Sequence, residues 1–169
     1  MRYLPMLGAL LALVMNAACQ SKSGEETDWG SGFDGDNVYG TPLPSRPAGG
    51  LSFLSPEVRK DVYPPVYFGF DSSLVSGAEM EKVRGMAGAI RSNGSTLIIA
   101  GFTDERGTEE YNRGLGERRA LAVRDALVGE GVNPGNLHTV SFGEDMPADP
   151  GSNESAWARN RRAEFGVVP

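Results

Sequence analysis

The run Thr96–Phe102, TLIIAGF, is apolar on both of the faces that a strand presents. Successive side chains of a strand point to opposite sides of its sheet, so a half-exposed strand carries a polar residue at every second position. This run carries none after Thr96, which predicts a central strand buried on both sides. It leads straight into TDERGTEEYNRGLGERRA, Thr103–Ala120, in which five acids and four arginines make up half of eighteen residues. A buried strand that ends in a dense charge cluster poses the question of whether the cluster is a solvated connector or a site for a charged group.

The elements around this strand follow from period and punctuation. VYFGF, Val66–Phe70, is aromatic and β-branched and reads as a strand. Ser76 and Glu79 have the S-x-x-E spacing of a capping box, predicting a helix from there to about Ser92, stopped by Asn93-Gly94. A second helix is expected over Glu109–Gly129, with Gly131 and Pro134 beyond it. LHTVSF, Leu137–Phe142, is a third strand, GEDMPADPG a loop and NESAWARN a short helix. RAEFGVV alternates, with Ala163, Phe165 and Val167 on one face and Arg162 and Glu164 on the other, as a strand with one wet face would. The order β-α-β-α-β-α-β predicts an α/β (α+β) fold, a mixed four-stranded sheet with helices packed against it, over 62–169.

Before that domain the chain looks different. MRYLPMLGALLALVMNAAC has one basic residue, Arg2, then an apolar segment and small residues directly before Cys19, the sole cysteine of 169 residues. The apolar segment is shorter than the ~20 residues of a membrane span and fits an export signal, residues 1–18. NAAC resembles the lipobox of bacterial lipoproteins, which implies that Cys19 carries lipid and begins the mature chain; Asn16 stands where an aliphatic is usual. A lone thiol in an oxidising compartment otherwise needs an explanation. Residues 19–61 show no sustained period and are rich in Gly, Ser, Pro and Asp, so they read as a flexible tether, with an r.m.s. span of roughly 35 Å from ~5–6 Å × √n. The G-x-G-x-x-G match at Gly30, Gly32 and Gly35 has no strand before it or helix after it and is set aside. The net charge of −6 argues against nucleic acid as a partner. No cofactor is called for.

At 100° per residue, Leu115, Ala122, Val123, Ala126 and Leu127 share one stripe of the second helix. Arg119 and Asn112 fall in the middle of it. A guanidinium on a core-facing stripe must find an acid or a run of carbonyl groups. Asp104 lies just past the central strand, where ligands commonly bind in open α/β sheets, and Asp71 lies at the equivalent place after VYFGF. Two readings stand. One is a structural ion pair between Asp104 and Arg119. The other is a pocket for a zwitterion, the arginine fork taking a carboxylate and the acid an ammonium.

Beyond these patterns, VYFGFD, TDERGTEEYN, LGERRALAV, VSFGEDMPA and NRRAEF are similar, in order and spacing, to the OmpA-like family, in particular to its lipid-anchored, peptidoglycan-associated branch. The similarity covers about Val62–Val168. It implies a two-layer OmpA-like sandwich and non-covalent binding of peptidoglycan through the diaminopimelate of its stem peptide. It places the family's acid on Asp104 and its arginine on Arg119, with Phe70, Asp71, Arg106, Asn112 and Leu115 lining the site. It also implies an outer-membrane lipid anchor with the domain in the periplasm, a TolB-like periplasmic protein as a second partner, and a Tol-Pal role in envelope integrity and division. Phe102 departs from the family pattern, which often has His there. Arg161 and Arg162 match its N-R-R, with packing against the acidic loop and ligand contact both open.

An enzyme is the main rival. Asp104 and Glu105 are adjacent, and in extended chain adjacent side chains diverge. His138 is the only histidine, and no H-E-x-x-H or G-x-S-x-G occurs. The expectation is binding without turnover.

Overall fold

Apolar runs at Thr96–Phe102, Leu137–Gly143 and Arg162–Val168 form strands β2, β3 and β4 of a computed structural model that describes residues 50–169. With the short β1, Val66–Tyr67, they make one sheet in the order β1-β4-β2-β3. Strand β4 runs antiparallel to both β1 and β2, while β2 and β3 are parallel. The sheet is mixed, as expected. Helix α1 is Gly77–Asn93, α2 is Glu109–Gly129 and α3 is Glu154–Asn160. The bounds of α2 coincide with those read from the sequence.

Strand β2 lies inside the sheet and has a different core on each side. Leu97 and Ile99 face the helices and join Val83, Ile90, Val123, Leu127 and Phe165. Ile98, Ala100 and Phe102 face the other way, against Phe53 and Val58. The second cover comes from a stretch that the sequence reading placed in the tether. Phe53 and Val58 are buried, and Arg59 exchanges both backbone hydrogen bonds with Val167, at 3.0 and 2.8 Å. Packed structure therefore begins ahead of position 62. A face carrying Ile98, Ala100 and Phe102 has to be covered, and the segment 51–59 is the apolar chain available to cover it. The rest of the expected signal and tether, with Cys19 and the three glycines, lies outside the described residues.

The same cover corrects the reading of β4. Its second face is not wet: Arg162 is buried, its guanidinium 4.1 Å from the Phe102 ring centroid, and it donates to Glu164, Asn160 O and Met146 O. Two further details depart from expectation. The capping box does not close, because the Ser76 side chain makes no cap bond. Glu79 instead accepts from the edge backbone N–H of Tyr67 at 3.1 Å and pairs with Lys82. Strand β1 is also shorter than VYFGF: after Phe68 N–H bonds Arg161 O, the chain turns away at Gly69.

Helix α2 lies unusually close to the sheet. A Cβ on Gly101 would sit 2.0 Å from Gly116 O, and one on Gly116 would sit 2.4 Å from Ser141 Oγ. Backbone meets backbone there, and Ser141 Oγ donates to Arg113 O at 2.6 Å. Thr108 caps the helix, its hydroxyl oxygen accepting from Tyr111 N–H. This contact sets the height and phase at which α2 presents Asn112, Leu115 and Arg119.

Candidate functional site

Strand β2 ends at Phe102, and the next residues turn into the β2–α2 loop. Asp104, in that loop, is 4% exposed. Its Oδ1 accepts from the backbone N–H and Nε of Arg106, at 3.2 and 3.1 Å. Its Oδ2 accepts from Arg106 Nη2 at 2.8 Å and Arg161 Nη1 at 3.3 Å. Burial raises the Asp104 pKa, but the hydrogen bonds from the Arg106 side chain, the Arg106 backbone and Arg161 outweigh it, and the carboxyl lies below its ordinary value.

Arg119 is wholly buried, and three backbone carbonyl groups surround it. Nε donates to Ser72 O at 2.9 Å, Nη1 to Phe102 O at 2.8 Å and Nη2 to Gly69 O at 3.2 Å. One side chain thus ties α2 to the end of β2 and to the β1–α1 loop. Burial lowers its pKa to about 10, still protonated at neutral pH, with Asp104 opposing that shift. A guanidinium has five N–H groups, so two remain without an acceptor among the described residues.

The loop that Arg119 holds carries Phe70 and Asp71. Asp71 has φ +48°, a left-handed conformation uncommon outside glycine. One of its carboxylate oxygens accepts from the Tyr111 hydroxyl. Phe70 is 63% exposed and packs on the Arg106 guanidinium. Asn112, buried on α2, donates to Glu144 Oε2 at 2.6 Å. Leu115 supplies an apolar wall.

These groups enclose one cavity of about 210 Å³, lined by Phe70, Asp71, Asp104, Arg106, Asn112, Leu115 and Arg119 together with Thr103, Gly107 and Tyr111. All seven cavity residues expected from the sequence therefore come together. The Thr103 hydroxyl is buried and has no hydrogen-bond partner. The volume is below the ~300–1,000 Å³ of drug-sized pockets and suits one small headgroup. Two Arg119 N–H groups and one Asp71 carboxylate oxygen have no acceptor or donor among the described residues, and both residues line the cavity. No group of three or more His, Cys, Asp or Glu among the described residues could hold a metal ion.

One of the two readings of the charged pair falls. The structural ion pair between Asp104 and Arg119 does not form, because carbonyl groups take the Arg119 donors while Arg106 and Arg161 take Asp104. On the sheet side of α2, Glu117 is half-buried, accepts from Thr139 Oγ1 at 3.2 Å, and burial raises its pKa. The sequence reading also missed Arg161 as a partner of Asp104, Tyr111 in the cavity lining and Trp157 behind it, packed on Arg106. The N-R-R match flagged Arg161, but helical or strand period could not, since it lies between α3 and β4.

A model of the OmpA family matches residues 67–161. A protein of Pseudomonas putida named peptidoglycan-associated lipoprotein is 40% identical over 159 residues, covering 93% of this chain and 93% of that protein. The crystal structure of the peptidoglycan-associated lipoprotein from Burkholderia pseudomallei superposes with TM-score 0.59 at 41% identity, covering 61% of this chain and 88% of that one. The C-terminal domain of Helicobacter pylori MotB gives TM-score 0.59 at 25% identity, over 63% of this chain and 84% of that one.

Proposed function

This chain belongs to the OmpA family, in its peptidoglycan-associated lipoprotein branch, which is not an enzyme family; from that premise we propose that it binds peptidoglycan without turnover, through the diaminopimelate of the stem peptide. One observation carries the reading: a wholly buried arginine with two N–H groups unused by protein acceptors lines a cavity of about 210 Å³ together with two carboxylates. Diaminopimelate ends in an amino acid headgroup. Arg119 takes its carboxylate as a fork, the open carboxylate oxygen of Asp71 takes its ammonium, Asp104 holds Arg106 in the wall and adds its negative charge, and Phe70, Asn112 and Leu115 complete the site. With Cys19 lipidated, the protein tethers the outer membrane to the cell wall from the periplasmic side. A TolB-like protein is the second partner, within a Tol-Pal system serving envelope integrity and division.

The test is co-sedimentation of the full chain with purified diaminopimelate-type sacculi. Asp104→Ala and Arg119→Ala should each cost about 2–5 kcal/mol of binding, because each leaves a charged partner uncompensated. Thermal melts must accompany both, since Arg119→Ala also removes the donors of three carbonyl bonds. Free diaminopimelate should compete with sacculi for the wild-type chain. Binding by both variants at the wild-type level would sink the assignment.

A further inference from the structure

Three charged residues in sequence, Asp104, Glu105 and Arg106, all reach groups contributed by α3 or by the residue that follows it. The Arg106 guanidinium lies between two aromatic rings, 4.2 Å from the centroid of Phe70 and 4.1 Å from that of Trp157. Trp157 is itself fixed, its indole N–H donating to Glu105 Oε1 at 3.0 Å. Glu154, one turn earlier on α3, pairs with Arg161 at 2.8 Å and lies 3.8 Å from Arg106 Nη1. Both arginines on Asp104 are therefore braced from α3, 48 residues and more along the chain from the loop they shape.

A fork on a carboxylate needs the guanidinium held in the carboxylate plane. Arg106 is a third exposed and could otherwise swing into solvent. Two stacked rings remove that freedom, and the Glu105 bond sets the position of one of them. Asp104 is then left with Arg106 in one orientation at the cavity mouth. Without Trp157 only one ring remains, and that ring, Phe70, is largely exposed.

We propose that Trp157 is a positioning residue for ligand recognition: by stacking on Arg106 and docking on Glu105 it holds the β2–α2 loop in the form in which Asp104 and Arg106 wall the cavity. Trp157 touches no ligand itself. This rests on the peptidoglycan-binding reading above. It assigns a role to α3, which that reading leaves without one.

The experiment uses the full chain, purified diaminopimelate-type sacculi and free diaminopimelate. Trp157→Ala should weaken binding to sacculi by roughly three- to thirty-fold, the range a guanidinium–ring contact supports. Trp157→Phe keeps a ring over Arg106 and should recover most of the loss. The chain has two tryptophans, so with the other, Trp29, replaced by Phe, titration with free diaminopimelate should shift Trp157 fluorescence to a saturating limit, and Asp104→Ala should abolish that shift. Melting temperatures of the Trp157 variants separate local positioning from folding. Wild-type binding by Trp157→Ala, while Asp104→Ala and Arg119→Ala lose theirs, overturns the positioning role alone. An equal loss for the Phe and Ala variants overturns the stacking argument. If Asp104→Ala and Arg119→Ala also bind as wild type, the site reading itself fails.

Discussion

Two carboxylates shielded from solvent show how the same chemical group acquires opposite roles. Asp104 is buried but receives four hydrogen bonds from arginine donors, and its pKa is lowered. Glu117 is packed against β3 with one hydroxyl as partner, and burial raises its pKa. The signs for stability follow from linkage. Asp104 contributes stability above its unfolded value, near 3.8, and loses it as pH falls through the lower folded value. Glu117 does the reverse: ionising it in the folded state is unfavourable, so it lowers stability as pH rises past the ordinary 4.5. Glu117→Gln keeps an acceptor for Thr139 and removes the charge. It should raise the melting temperature at pH 7, and the gain should vanish once the pH is well below 4.5. Paired thermal melts at the two pH values check this, and a gain that persists in acid would contradict it.

At the level of elements, α2 is positioned by the absence of side chains. Gly116 lets its backbone reach Gly101 and Ser141, and the phase so fixed turns Arg119 toward three carbonyl groups that belong to two other segments. Gly116→Ala has to push the helix off the sheet and should cost about 1–3 kcal/mol or more in urea unfolding, the usual scale of overpacking. Binding to sacculi should fall with it, since Asn112, Leu115 and Arg119 move as one body. Gly85, on the solvent side of α1, has nothing within 4 Å of an added Cβ. Gly85→Ala is the control, expected to stabilise by about 0.5–1 kcal/mol through helix propensity.

For the whole described domain, the consequential feature is a sheet covered on both faces by unlike means. Helices α1 and α2 cover one face, and the segment 51–59 covers the other. Phe53 packs on Phe102 and Phe142, whose rings stack at 5.3 Å, and an added Cβ on Gly166 would meet Val58 at 2.5 Å. A chain trimmed to 62–169 loses Phe53, Val58 and the Arg59–Val167 bridge. Relative to 50–169 it should be less stable by at least about 3 kcal/mol, the low end for deleting one buried phenylalanine side chain. Urea denaturation of the two chains side by side measures the difference, and equal midpoints would show that the segment only rests on the sheet.

The sequence by itself determined what depends on local period. Residues Glu109–Gly129 repeat at 3.6 and formed that helix; TLIIAGF lacked polar alternation and became the strand inside the sheet. Phase along α2 also singled out Arg119 and Asn112 as polar groups facing inward, and the strand ends pointed to Asp71 and Asp104. Only the tertiary structure decided which partners those groups took. Arg119 bonds carbonyl groups 47 and 50 residues away, and Asp104 bonds Arg161 at 57 residues. Such partners are selected by where loops meet in space, and neither loop carries a period that records the meeting. The same holds for Phe53 and Val58, two apolar residues in a stretch rich in Gly, Ser and Pro, whose burial depends on a bare sheet face formed by strands far along the chain.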